Sequence, residues 1–98
     1  MGKLNAPTNA SGFVARPNPW NVALHPATVV LDNLPDSAEI GVYMVTGEKV
    51  ATLRNNGDSA IEWNGTNDQG EKLARGVYLL RLAAPDGSTQ IQKLVLVR

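Results

Sequence analysis

Few residues in this chain could do acid–base or nucleophilic chemistry, and they are scattered. There is one histidine, His25, between Leu24 and Pro26, and there is no cysteine. Thiolate nucleophiles, thiolate metal sites and disulfides are therefore excluded. No serine lies in a nucleophile-elbow context, so no nucleophile–base couple assembles around His25, which reads as an ordinary loop residue. Hydrolysis by paired carboxylates would need two of them in one cleft. All the acidic residues except Asp32, Glu39 and Glu62 fall in turns or at strand ends, where carboxylates are usually solvated. A non-enzymatic chain without a cofactor is expected.

The segment Asn64-Gly-Thr-Asn-Asp-Gln-Gly-Glu71 carries oxygen-bearing side chains at alternate positions, a faintly calcium-like pattern. It fails the EF-hand spacing: Gln69 stands where the invariant glycine belongs, and the bidentate glutamate at the twelfth position is missing. Asn and Asp are also what turns need, so the loop reads as structural and no metal is expected. Aromatic side chains offer a different chemistry, the stacking of sugar rings. Trp20, in the Pro-Asn-Pro-Trp loop, and Tyr43 are candidate ligand contacts. Packing of Trp20 over the open end of the sandwich is the other reading of so large an apolar ring. Trp63 and Tyr78 are expected in the core. Val77 and Leu79, with Val30, Val45, Thr52 and Val95, fall opposite the expected core and could form an apolar contact patch.

The elements that would hold these residues are short apolar stretches separated by turn residues, the pattern of an all-β chain. Phe13-Val14-Ala15-Arg16 is closed by Pro17-Asn18-Pro19, where the chain must leave its sheet because proline donates no ladder hydrogen bond. Further strands are expected at residues 27–32, 39–45, 49–53, 60–63, 76–83 and 90–97. Thr46-Gly47 is expected to form a two-residue hairpin turn, with Gly47 supplying a positive φ. No segment has a convincing helical period. Alternation proposes an inward set of Val29, Leu31, Leu34, Ile40, Val42, Val50, Leu53, Ile61, Trp63, Tyr78, Leu80, Leu82, Leu94 and Leu96. Arg81, between Leu80 and Leu82, should then face water. About seven short strands favour an antiparallel, Greek-key-like two-sheet sandwich, with a barrel as the main rival.

Five phrases in order carry a resemblance: Pro17-Asn18-Pro19-Trp20, residues 40–53 (IGVYMVTGEKVATL), Trp63 to Gly70 (WNGTNDQG), Gly76 to Leu82 (GVYLLRL) and Lys93 to Arg98 (KLVLVR). Together, from about Val14 to Arg98, the chain resembles the immunoglobulin-like domain named after the flagellar hook-capping protein. Similar domains form C-terminal tails of secreted bacterial enzymes and surface proteins, some serving as sorting domains of the type IX secretion system. Pro17, Asn18, Pro19, Gly47, Trp63, Gly65, Gly70, Gly76 and Tyr78 are the structural positions of that pattern. Met44 departs from it, since family members often carry Asp or Asn there. The Trp-Asn-Gly loop that this chain keeps is usually absent from the sorting subgroup.

Ninety-eight residues, 43% hydrophobic and 18% charged, fit one globular domain. Residues 1–12 are expected to be a linker or an introduced remnant, and residues 13–98 one sandwich. Nine basic and nine acidic residues cancel. A nucleic-acid partner, which demands a net basic face, is not expected. No apolar run approaches the ~20 residues that span a bilayer. The resemblance implies a C-terminal accessory domain of a larger secreted protein, monomeric in isolation and found outside the cell or on its surface. Export would run through the periplasm on a signal peptide upstream in the parent. Its partners would be an adjacent domain of that parent or the secretion machinery. The alternatives are a carbohydrate-binding module of a secreted hydrolase, with polysaccharide as its partner, or an inert structural spacer.

Overall fold

The computed structural model describes residues 12–23, 28–55 and 57–98. His25, most of the expected linker and the start of the strand expected at 27–32 lie outside them. The strands are β1 (Val14–Arg16), β2 (Trp20–Asn21), β3 (Val29–Asp32), β4 (Glu39–Met44), β5 (Lys49–Arg54), β6 (Ala60–Trp63), β7 (Gly76–Ala83) and β8 (Thr89–Val97). They form a small sheet of three, ordered β1-β3-β6, and a large sheet of five, ordered β2-β8-β7-β4-β5. The sequence pattern misses only β2. The chain does leave the small sheet at Pro17, but it rejoins the large sheet at once, with β2 parallel to β8 and Trp20 opposite Leu96.

The prolines here lack amide hydrogens, and Asn18 between them replaces what they cannot supply. Its Nδ2 donates to the Lys93 carbonyl at 2.6 Å, and its Oδ1 accepts from the Val95 amide at 3.1 Å. One side-chain amide thus extends the β8 ladder ahead of β2. Both X–Pro bonds, Arg16–Pro17 and Asn18–Pro19, are cis.

The two sheets pack their inner faces together. Ala15, Val29, Leu31 and Trp63 come from the small sheet, and Ile40, Val42, Ala51, Tyr78, Leu80, Leu82, Leu94 and Leu96 from the large one. Phe13, Trp20, Leu34 and Leu73 are also buried in this core. Removing this apolar surface from water is the main force holding the sheets together. The expected inward set is buried except for Val50, Leu53 and Ile61, which are half-buried against it.

Val50 needs a correction. Val42 pairs with Ala51 but Tyr43 pairs with Lys49, so Val50 is the extra residue of a β-bulge. The bulge shifts the phase by one, and Ala51, not Val50, is the buried residue opposite Val42.

The hairpin turn also differs from expectation. Met44 and Glu48 close a loop of three residues, with the Met44 amide bonded to the Glu48 carbonyl at 2.8 Å and the Gly47 amide to the Met44 carbonyl at 2.9 Å. The same bonding recurs at Asn67–Glu71 around Gly70 and at Ala84–Ser88 around Gly87. In each, the glycine takes a φ between 82° and 97°, a left-handed conformation that costs other residues roughly 1–2 kcal/mol. The chain thus reuses one local solution for a tight reversal.

Candidate docking surface

The aromatic residues occupy two different environments. Trp20 is fully buried and packs against Trp63, ring centroids 6.3 Å apart and planes tilted by 50°. Trp20 is therefore no ligand contact: its ring belongs to the core, as the alternative reading of packing at the end of the sandwich expected. Gly65 seals it in. A Cβ on Gly65 would stand 3.1 Å from two carbons of the Trp20 ring, and Gly65 already holds a φ of 78°. Trp63 Nε1 donates to the Thr66 carbonyl at 3.1 Å, giving the second indole a polar partner. Arg98 closes the same end of the sandwich by donating from Nε to the Leu73 carbonyl at 2.8 Å.

The loop with calcium-like spacing is a self-contained hydrogen-bond cluster. Asn67 Oδ1 accepts from the Gln69 and Glu71 amides at 3.0 and 2.9 Å, and Asn67 Nδ2 donates to Glu71 at 3.0 Å. Thr66 Oγ1 donates to Asn64 Oδ1 at 2.8 Å. Asp68 reaches outward: its Oδ1 accepts the Thr52 amide at 3.0 Å and its own amide donates to the Val50 carbonyl at 3.2 Å. Those two bonds cover the free edge of β5, which would otherwise present an unpaired ladder.

Tyr43, Val77 and Leu79, the other candidate contacts, share the outward face of the large sheet. Register places Thr52, Gly41, Arg81 and Ile91 in one row across β5, β4, β7 and β8. The next row holds Lys49, Tyr43, Leu79 and Lys93, and beyond it Val77 faces Val95. Tyr43 does not project. Its ring lies over Gly41, where a Cβ would come to 2.7 Å from a ring carbon. That glycine lets an aromatic lie flat on the sheet, and the centre of the face is correspondingly level. Ile91 is 60% exposed and Val77 38%. Tyr43, Val45, Leu79, Arg81 and Ile91 line a shallow depression of about 220 Å³.

The unpaired charge on this face has one sign, because Glu39, in the outward row beyond Gly41, is held by Arg54. Among the described residues Lys49, Arg81 and Lys93 form no ion pair, whereas Arg54 is held by Glu39 at 2.7 Å. The outward face of the small sheet leans the other way, with Asp32 bound to Arg16, and Glu62 accepting from Thr28 Oγ1 at 2.6 Å. A chain that is neutral in sum is thus polarised between its two faces. Reasoning from sequence found Val45, Thr52, Val77, Leu79 and Val95 on the large face but wrongly grouped Val30 with them, which lies in β3 of the small sheet. It did not place Ile91, Lys49 and Lys93, whose membership depends on cross-strand register.

Against known families, the model of the FlgD Ig-like domain matches residues 23–88, more than half of the chain. The chain belongs to this family. Among solved structures it is similar to part of PorZ, described as an essential bacterial surface component of the type IX secretion system of Porphyromonas gingivalis. That match has a TM-score of 0.78 and 19% sequence identity. It covers 95% of this FlgD Ig-like domain and 12% of the PorZ chain. At that identity the likeness establishes a common fold. No curated protein sequence matches the chain.

Proposed function

We propose that this FlgD Ig-like domain is a non-catalytic accessory module at the C-terminal end of a larger secreted bacterial protein. It acts in sorting and secretion of that protein or in its attachment to the cell surface. One observation carries this reading: nearly the whole chain takes the fold of a small part of a secretion-system surface component, at TM-score 0.78. Residues 13–98 act as one unit, since Phe13 is already fully buried at its start. The module works outside the cell or on its surface, after passage through the periplasm. Its partners are an adjacent domain of the parent or the secretion machinery.

A peptide map of the parent recovered outside its native cell tests this. Loss of peptides from 13–98, with upstream peptides abundant, is expected for a sorting module removed during export. Full retention on surface-bound parent is expected for an attachment module. Full retention on parent that is freely soluble in the medium contradicts both roles.

A further inference from the structure

We propose that the outward face of the large sheet docks an acidic protein surface, one with an aliphatic centre rimmed by carboxylates. This deepens the accessory-module reading and rests on it, because it names the partner chemistry of the same face.

Complementarity argues for that occupant. The centre of the face is apolar and flat, with Leu79, Val77, Val95 and Ile91 beside the ring of Tyr43 laid over Gly41. Lys49, Arg81 and Lys93 surround or interrupt it, and none has an ion pair among the described residues. Like-charged groups clustered without counter-charges repel one another, and opposing carboxylates would relieve that while setting the register of the contact. From strand and row spacings the patch measures roughly 400 Å², within the range of a monomer's largest apolar patch and below a stable interface of ~800 Å² per partner. Contact between free partners should therefore be weak. Within one polypeptide the effective concentration of the partner makes such a contact sufficient.

Two other occupants fit less well. Sugar recognition needs several convergent hydrogen-bonding groups around an aromatic platform, and the single ring here, Tyr43, is surrounded by aliphatic side chains and cations. Membrane insertion needs apolar tips that protrude, and these side chains stand on a level sheet between cations.

The test titrates the isotope-labelled domain with a cyclised β-hairpin peptide whose one face carries Leu and Ile rimmed by Glu. A twin peptide has Lys in place of every Glu. Amide shifts should change for Tyr43, Leu79, Arg81, Ile91 and Lys93 with the acidic hairpin and not with its twin. Binding should weaken at least ~10-fold in the Lys49→Glu/Lys93→Glu variant, both sites being exposed, with its melting temperature unchanged as the control. Equal binding of both hairpins, or shifts confined to other surfaces, would overturn the proposal. So would saturation of this face by anionic vesicles or an oligosaccharide when the acidic hairpin leaves it unmoved. Export of the parent is measured separately, so failure here leaves the secretion role standing, and loss of that role would not alter the titration.

Discussion

At the scale of single residues, the fold depends on side chains that do work the backbone cannot. Asn18 gives β8 a donor and an acceptor where two prolines have removed the backbone's own. Asn18→Ala should cost about 1–2 kcal/mol in denaturant unfolding, since two hydrogen bonds are lost at an exposed site. Gly65 is more restricted still. Gly65→Ala adds a methyl group 3.1 Å from the Trp20 ring and forces alanine to a φ of 78°. The cost should be roughly 2–4 kcal/mol, the sum of backbone strain and overpacking, with a change in tryptophan fluorescence reporting the displaced ring. Tyr78 makes a pH prediction. Burial raises the pKa of its phenol above the ordinary value of 10.0, opposed by the Arg98 guanidinium, and its hydroxyl donates to the Ala74 carbonyl at 2.6 Å. The unfolded chain therefore loses this proton first as pH rises. The stabilisation is complete below about pH 10 and falls away above it. In Tyr78→Phe the alkaline decline of stability should be shallower than in the parent sequence, as read by unfolding midpoints from pH 8 to 11.

Elements are where sequence and structure can be compared strand by strand. The facing of β4, β7 and β8 was legible because Arg81 between Leu80 and Leu82 admits one solution, and the alternation propagates through paired rows of that sheet. Ile91 and Val95 look ambiguous in isolation, yet pairing with Arg81 and Val77 puts both outside. What stayed hidden depends on contacts made across the chain. The bulge at Val50 leaves no local mark, so the buried position moved to Ala51 unannounced. Strand β2 has two residues behind a proline, too few to show a period, and Trp20 was misread as a loop aromatic for that reason. The Asn64–Glu71 loop was correctly seen as turn-rich, but its cover over the β5 edge comes from Asp68 reaching Thr52, sixteen residues back. Asp68→Ala should remove the side-chain part of that cover, leaving the backbone bond to Val50. Stability should fall by about 1 kcal/mol, and sedimentation should show self-association at concentrations where the parent domain stays monomeric. An unchanged sedimentation profile would mean that the edge is blocked by something else.

For the molecule as a whole, the distribution of charge matters more than its sum. Nine positive and nine negative residues give a neutral chain, yet the large sheet's outer face is basic and the small sheet's leans acidic. Family membership was legible from five phrases in order, and the match over residues 23–88 agrees with it. The docking face was legible only in its apolar half, because alternation gives facing and register alone gives neighbours. Under the proposed docking, the polarised, partly apolar face is where the domain is held against its partner, and the core asks nothing of that partner. The central claim, that the module serves the export or anchoring of a parent protein, is tested most directly by deleting residues 13–98 from that parent in its native bacterium. The parent would then be assayed in periplasm, cell surface and medium. Accumulation of a folded, active parent in the periplasm, or its release from the surface into the medium, is the expected result. A truncated parent that reaches the same place in the same amount as the full-length protein would contradict the account.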